Sequence, residues 1–402
     1  MMLINFAFRN LFRNPRRTMA ILTTVMIGTG ALFLYHGFNN GIMNQYRENT
    51  IRSRFGNGQV NTNGYRAKVF EKPWEHWIDN VNQLDSFIKS LPGVEYTFPR
   101  LQFFALLTNG RVTVSGRGQG VDAQAETEFF TALNVDIGKN LTTEEDGIIL
   151  GMGLARALDV KVGDRVTILA NTTFGSLNGV DTIVTGIFHT GAKEFDDTVF
   201  RIPLKLSQIL LDTNKVESIA LGLTGVDQWP AVAAQIEKRF PHLESTPFEI
   251  LDKVYYQNSV DFLDSQFQFI RFIILFIVVL GIFNTISTGI LERKQEIGNL
   301  RANGESKGEV LRLLLLEGIF LGVLGSILGV VVAYGLNISL LAEGIPMPPG
   351  PGITRSFMVK VELVPLYSLA IILLGAVSAL VGSFFASIKV VRMEIGDLLR
   401  SI

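Results

Sequence analysis

The residues that could do chemistry are few, and the most compact group lies near residue 190. His189, Glu194, Asp196 and Asp197 combine one imidazole with three carboxylates, which are donor types that bind divalent metal ions. A single histidine among acids on a hairpin loop is also typical of a solvated turn. We predict no metal site, and the sequence leaves open whether the 189–197 loop binds a metal.

A nucleotide site is not indicated either. Gly151 and Gly153 follow a predicted strand, but Arg156 occupies the third position of the dinucleotide fingerprint, and no helix–strand pair with a ribose-binding acid follows. The phosphate-binding pattern Gly-x-x-x-x-Gly-Lys-Ser/Thr does not occur in the sequence. There is no cysteine, and the net charge of −1 argues against a nucleic-acid binder. We predict no catalytic residue and no bound cofactor.

Four long apolar segments organise the 402 residues, of which 48% are hydrophobic. They are Met19–Phe38, Phe272–Leu291, Leu313–Leu341 and Leu366–Ile388. Because about 20 apolar residues cross a hydrocarbon core, each segment predicts a membrane helix. The first could also be a signal peptide, but its apolar run is long and no Ala-x-Ala site follows, which favours an uncleaved helix.

The basic residues predict how the chain is oriented in the membrane. They gather near the N-terminus, in the stretch 293–312 and after residue 388, whereas the 342–365 loop has only Arg355 and Lys360. The positive-inside rule therefore places both termini and the 292–309 link in the cytoplasm. The region 40–268 must then lie outside.

The charged link between the second and third apolar segments has the pattern of a helix presented to a partner. Ile297, Leu300 and Arg301 fall at i, i+3 and i+4, so they share one face. Gly304 suits a helix end. A solvated loop is the alternative, but a loop would not need the Ile/Leu pair.

The outer region alternates strand-like and helical patterns. Strands at Gly58–Asn61 and Val94–Thr108 flank a helical pattern, and a second set follows with a strand at Val216–Leu223 and a helix at Gln228–Phe240. Two β-α-β halves separated in sequence predict one split ferredoxin-like module with a β-rich insertion at about 127–215. The predicted fold class is a four-helix membrane protein with a large α+β periplasmic domain.

Two further patterns lie in the membrane segments. Small residues recur at spacings of 4, 3 and 4 and predict that the third and fourth helices pack closely, although glycine is common in membrane helices: Gly318, Gly322, Gly325, Gly329, Gly375, Ala379, Gly382 and Ala386. Phenylalanines crowd the upper part of the second helix: Phe262, Phe267, Phe269 and Phe272. These offer a candidate surface for apolar cargo, or else ordinary packing or an interfacial belt.

Specific motifs resemble one family. Glu296-Ile-Gly-x-Leu-Arg-Ala-x-Gly304, followed by Leu314-Leu-Leu-Glu-Gly318, resembles the cytoplasmic loop of FtsX-like permeases, which include MacB-type exporters and lipoprotein-releasing permeases. The sequence segments 147–158, 160–169 and 184–191 resemble the second outer subdomain of the lipoprotein-releasing and MacB-type permeases. The resemblance covers nearly the whole chain and lies closest to the lipoprotein-releasing branch.

The resemblance implies a permease subunit of an ABC transporter in the bacterial inner membrane, working by mechanotransmission. The implied task is extraction of lipoproteins or other lipidated cargo toward a periplasmic carrier. One alternative is MacB-type efflux of drugs, peptides or toxins with a periplasmic adaptor, and a second is a regulatory permease that controls cell-wall hydrolases. The implied partners are two ABC ATPase subunits, which hold the ATP and Mg²⁺, a second permease copy or paralogue, the carrier or adaptor, and membrane lipid. The cargo, the choice between homodimer and heterodimer, and the periplasmic partner stay open.

The resemblance also assigns a role to the charged link, as the coupling helix that contacts an ATPase subunit. The predicted contact residues are Glu292, Arg293, Glu296, Ile297, Gly298, Leu300, Arg301 and Gly304. The predicted order of segments is a cytoplasmic interfacial helix (1–18), a first membrane helix (19–39), the periplasmic domain (40–268), a second membrane helix with a periplasmic stalk (269–291), the coupling helix (292–309), a third membrane helix (310–341), a periplasmic loop (342–365), a fourth membrane helix (366–388) and a cytoplasmic tail (389–402).

Overall fold

The computed structural model describes residues 10, 13–69, 72–142, 146–253, 258–348 and 354–399. The chain divides into a helical unit, formed by Met1–Asn44, Asp261–Met347 and Met358–Ile402, and an α+β unit, formed by Gln45–Val260 and Pro348–Phe357. Most of the predicted interfacial helix, residues 1–9, 11 and 12, lies outside the described residues.

The α-helices of the described chain are α1 (Pro15–Thr50), α2 (Tyr65–Lys68), α3 (Val81–Lys89), α4 (Ala123–Phe129), α5 (Met152–Leu158), α6 (Lys193–Thr198), α7 (Leu204–Leu211), α8 (Trp229–Arg239), α9 (Phe248–Leu251), α10 (Asn258–Leu291), α11 (Lys294–Ala302), α12 (Lys307–Ser339), α13 (Pro365–Val391) and α14 (Ile395–Leu399). A π-helical turn, Ile51–Phe55, continues α1, and 3₁₀ turns occupy Pro73–His76 and Val226–Gln228.

The strands are β1 (Gly58–Thr62), β2 (Val94–Thr108), β3 (Thr113–Val121), β4 (Val135–Gly138), β5 (Gly147–Gly151), β6 (Arg165–Asn171), β7 (Leu177–Phe188), β8 (Val199–Pro203), β9 (Ser218–Leu223), β10 (Leu243–Pro247), β11 (Ile345–Met347) and β12 (Phe357–Val359). The first ten form one sheet, and the last two form a separate pair.

Four helices of the described chain, α1, α10, α12 and α13, are long and apolar enough to cross a membrane. Their ends follow local sequence signals. Ser306 and Glu309 form a reciprocal capping box at the start of α12, and Pro365 stands in the first turn of α13, where its missing N–H costs nothing. Gly304 adopts φ +101° just beyond α11, and the N–H of Glu305 returns to the carbonyl of Leu300. The predicted stop at Gly304 therefore has the geometry of a glycine helix end.

One of the two parts of the α+β unit is the ferredoxin-like module that the sequence predicts. β1, α3 and β2 form one β-α-β half, and β9, α8 and β10 form the other. The strands lie in the order β10-β1-β9-β2, and every neighbouring pair is antiparallel. The apolar faces of α3 and α8 bury Leu84, Ile88, Val232 and Ile236 in one core with the sheet. The fold-class prediction is confirmed.

The inserted subdomain is a closed barrel. β2, β3, β8, β5, β7 and β6 each hydrogen-bond to the next, and β6 returns to β2. β2 makes this possible because its 15 residues pair first with β9 and then, from Leu101 onward, with β3. Alternate residues of that half, Leu101, Phe103, Ala105 and Leu107, point into the barrel core.

The structure changes two details of the predicted outer region. The barrel includes β3 and the second half of β2, so the insertion begins earlier than the predicted residue 127. The 189–197 stretch is not a solvated hairpin loop, because Lys193–Thr198 is helical and Asp196 is buried. Asp196 accepts hydrogen bonds from the N–H and Oγ1 of Thr190 and from the N–H of Gly191, which fixes the turn before the helix.

The small residues of α12 meet more than one neighbour. A Cβ at Gly322 would lie 2.7 Å from that of Ala379 on α13, and a Cβ at Gly318 would collide with Ser383 of the same helix. Gly325 instead faces Val25 of α1, and Gly329 faces Thr29 and Gly30 of α1. The prediction of one stripe shared by the third and fourth helices is therefore wrong for Gly325 and Gly329 of α12. It fails also for Gly382, whose neighbour is Phe283 of α10.

Candidate functional site

The predicted coupling segment is a nine-residue helix, α11, in the helical unit. Its two faces differ in exposure. Glu292, Gln295, Asn299 and Asn303 are exposed, as is Gly304 just beyond the helix. This face is polar and open, so it is the part of the segment that a partner could contact directly.

Three of the predicted contact residues are turned inward. Ile297 is 1% exposed and belongs to the core shared with α13 and α14, Gly298 is buried against Leu398, and Arg293 is buried. The i, i+3, i+4 pattern therefore marks the face that anchors the helix, and not the face presented to a partner. Leu300 is half-buried in the same core.

A network of ions holds the start of α11. The guanidinium of Arg293 donates to Glu296 at 2.8 Å and to Glu317 of α12, and Glu317 also accepts a 2.7 Å hydrogen bond from the amide of Asn10. Burial opposes the charge of Arg293, but Glu317 and Glu296 outweigh burial and raise its pKa. The apolar run of α12 thus carries one carboxylate whose role is to position α11.

The end of α11 is held by Arg301. Its Nη1 donates to the carbonyl of Val391 (3.1 Å), the last residue of α13, and to that of Met393 (2.6 Å), two residues further on. The carbonyl of Val391 is among those that a helix end leaves without intrahelical partners. Arg301 therefore links α11 to α13 within this chain, and its contact with an ATPase subunit stays a prediction.

The candidate cargo surface on α10 is divided between two faces. Phe262, Phe269 and Phe272 are each about two-thirds exposed, at 68%, 67% and 65%, and Phe276 continues their stripe. Phe267 lies on the opposite side of the helix, as its position in the 100° repeat requires, and is partly buried. Only 11% of the apolar window of α10 is buried, against 39% for each of the other three long helices.

His189, one of the residues that combine metal-binding donor types near residue 190, lies between two carboxylates. The carboxylates of Asp136 and Asp196 lie on opposite sides of the His189 ring, at 3.5 Å from Nδ1 and 3.7 Å from Nε2. In the described part of the chain, no three His, Cys, Asp or Glu side chains form a group that could hold a metal ion. His189 Nε2 instead lies 2.6 Å from Oγ1 of Thr354, which joins the loop after α12 to the α+β unit.

Sequence reasoning missed a buried ion cluster in the α+β unit. Glu126 of α4 accepts two hydrogen bonds from Arg100 of β2, at 2.6 and 2.8 Å, and one from Arg201 of β8, at 3.1 Å. The two arginines also donate to the carbonyls of Ser53 and Arg54, in the π-helical turn that continues α1. The only sequence signal was an arginine inside each of two apolar strands.

Comparison with family models defines the class of this protein. Residues 18–239 match the MacB-like periplasmic core domain, and residues 269–395 match the FtsX-like permease C-terminal domain. The first match covers the barrel and the ferredoxin-like module as far as the end of α8, and the second covers α11, α12, α13 and most of α10. The chain therefore belongs to the FtsX-like, MacB-type family of ABC transporter permeases.

Two relatives and one solved structure are similar to this chain. The chain is 25% identical to the lipoprotein-releasing system transmembrane protein LolC of Neisseria meningitidis, over 80% of this chain and 77% of that protein. It is 23% identical to LolE of Haemophilus influenzae, over 83% and 85%. The solved periplasmic region of MacB from Actinobacillus actinomycetemcomitans covers 49% of this chain and 91% of its own, with a TM-score of 0.38 and 11% identity.

Proposed function

We propose that this chain is the permease subunit of a complex that extracts lipoproteins or similarly lipidated cargo from the bacterial inner membrane toward a periplasmic carrier. ATP is hydrolysed in separate ATPase subunits, with Mg²⁺, and the work passes to the α+β unit mechanically. Both termini and α11 face the cytoplasm in this proposal, and the α+β unit faces the periplasm.

The observation that carries the proposal is the open face of α10. The stripe of Phe262, Phe269, Phe272 and Phe276 leaves aromatic and aliphatic surface uncovered along the helix. An acyl chain can lie along this apolar surface without exposing its CH₂ groups to water, so a surface of this length suits a lipid anchor. The similarity to LolC and LolE supports lipoproteins as the cargo class.

The barrel offers a separate surface for a soluble partner. Phe104 and Leu177 point outward from β2 and β7, and Phe174 in the β6–β7 turn is 81% exposed. The register pairs Leu106 with Leu169 on the neighbouring strand, and Phe104 lies two residues from Leu106 on the same side of β2. Exposed apolar faces of this kind mark interaction sites, and a periplasmic carrier fits the proposal.

Photo-crosslinking in cells depleted of ATPase activity tests the cargo. Crosslinkers at Phe269 and Phe276 should capture lipoproteins through their acyl chains. The control is Leu373 of α13, which is similarly exposed and should capture bilayer phospholipid alone. Phe267, on the other face of α10, should capture much less lipoprotein than Phe269. Capture of a soluble adaptor or a small amphiphile in place of lipoproteins would replace this proposal with MacB-type export.

Cysteine labelling tests the orientation independently of cargo. Asn63 and Gly179 should be labelled from the periplasm, whereas Asn303 should be labelled only after the membrane is permeabilised. Labelling of Asn303 from outside would contradict the proposed orientation.

A further inference from the structure

We propose that the ATPase subunit docks on a composite surface made of α11 and the short helix α14, so that α14 is a second docking element. The inference rests on the proposed function and deepens it, because it adds residues 395–399 to the contact with the ATPase.

The two helices form one packed layer. Leu398 of α14 is 1% exposed and lies in the same core as Ile297 of α11. A Cβ at Gly298 would lie 2.9 Å from that of Leu398 and 3.2 Å from Cδ2 of Leu399, so only glycine allows this approach. Arg301 adds hydrogen bonds to the turn that leads into α14. The position of α14 beside α11 is therefore fixed by both packing and hydrogen bonding.

The outer side of this layer combines apolar and polar groups. Ile395 and Leu399 of α14 are 36% and 41% exposed, while Leu398 between them is buried. The exposed amides of Gln295 and Asn299 lie on the neighbouring helix. An apolar centre with a polar rim is the usual anatomy of a protein interface.

Charged groups of both signs border this surface. The exposed acids Glu292, Glu305, Glu309, Glu394 and Asp397 lie in the same region of sequence as the exposed bases Lys307, Arg312, Lys389 and Arg392. A polar rim of mixed sign suits a protein partner. Continuity with α11 identifies that partner as the ATPase subunit.

The test uses the full permease co-expressed with its ATPase subunit. The double variant Ile395→Ser, Leu399→Ser removes the apolar centre and leaves Leu398 in place. We expect ATPase co-purification and stimulated ATP hydrolysis to fall by about tenfold, as for a central interface contact. Thermal stability in detergent should fall only slightly, because Leu398 keeps the main contact with Gly298 although Leu399 loses its own. Leu340→Ser, at an exposed leucine just after α12, is the matched control and should change neither quantity.

A second variant separates this inference from the proposed function. Asn299→Arg alters the open face of α11 alone and should also reduce ATPase binding. Loss of binding in Asn299→Arg with full binding in the α14 double variant would overturn the role of α14 and leave the proposed function standing. Full binding in both variants would contradict the proposed function as well. If the double variant kept the ATPase but lost affinity for anionic vesicles, α14 would be a membrane-surface helix.

Discussion

Each unit contains an ion cluster described above, and the two clusters have opposite ratios of arginine to carboxylate side chains. In the α+β unit, two arginines share one carboxylate, and all three side chains are at most 5% exposed. In the helical unit, Arg293 is shared by two carboxylates, Glu317 and Glu296, and the side chain of Glu296 remains 30% exposed. One cluster is sealed with an excess of positive charge, and the other is open with an excess of negative charge.

The difference follows from what surrounds each cluster. The surplus guanidinium charge of Arg100 and Arg201 meets backbone carbonyls at the end of a helix, where the helix dipole is negative. The surplus carboxylate charge at Glu296 meets water and the nearby Arg13 and Arg17, which together with Arg293 lower its pKa although its partial burial acts in the opposite direction. A sealed cluster can only be kept or broken, whereas an open one can exchange partners. We infer that the open cluster suits a connection between α11 and α12 that must rearrange when α11 moves.

Removing the shared carboxylate of the sealed cluster should have the largest effect. Glu126→Leu leaves two buried guanidinium groups without their anion, at a cost of about 3–5 kcal/mol. The α+β unit should become sensitive to limited proteolysis and should melt at a lower temperature. The triple variant Arg100→Met, Glu126→Leu, Arg201→Met should recover most of the stability, because it removes all three charges. Wild-type stability in Glu126→Leu alone would show that the cluster is not sealed.

Glu317→Gln should have an intermediate effect, because it removes a charge from the open cluster but keeps a side chain that can bond to Asn10. Hydrogen bonds to charged groups contribute about 1.5–3 kcal/mol, and Arg293 keeps Glu296 as a partner. We expect a modest loss of thermal stability in detergent together with a larger loss of stimulated ATP hydrolysis. Equal losses in both measurements would mean that Glu317 supports folding without positioning α11.

Glu296→Gln should change stability least among the cluster variants, because partly exposed ion pairs contribute about 0.2–1 kcal/mol. The difference from wild type should shrink in high salt, which screens an open pair but not a sealed one. Melting curves at low and high ionic strength measure this directly. A salt-independent difference at Glu296 would remove the distinction between the two clusters.

The last expected effect is a pH dependence beside the sealed cluster. Burial raises the pKa of Asp252 to about 6, although Arg54 acts in the opposite direction. Because the folded state holds this proton more tightly than the unfolded state, the α+β unit should gain stability as the pH falls from about 6 toward 4. Asp252→Asn should abolish that gain and should stabilise the unit at neutral pH. Unchanged pH dependence in Asp252→Asn would assign the effect to another group.

The sequence predicted the parts of the fold that depend on local patterns. Hydropathy marked the four long helices, and helical spacing of Ile297 and Leu300 marked α11. Long-range pairing could not be read in the same way. The apolar alternation of β2 changes phase near Arg100, where its pairing partner changes, but the pattern does not show which strand each half pairs with. Glu126 is 26 residues from Arg100 and 75 from Arg201, and only the folded sheet brings them together.

The candidate site shows the same limit. A spacing of i, i+3 and i+4 identifies a face but not its neighbour, so it could not show that Ile297 is buried against α13 and α14. The glycine stripe of α12 likewise identified a close approach without showing that Gly325 and Gly329 approach α1. Surface roles could be assigned only once the buried face was known.

The contact between His189 and Thr354 has a consequence for how the protein is made. It joins positions 165 residues apart, and Arg355 adds an ion pair to Asp136 at 3.6 Å. The ribosome releases 45–260 well before it releases Thr354, with α12 synthesised in between. The α+β unit therefore lacks the contacts of Thr354 and Arg355 while α12 is being synthesised. These contacts form only after the third long helix has been made.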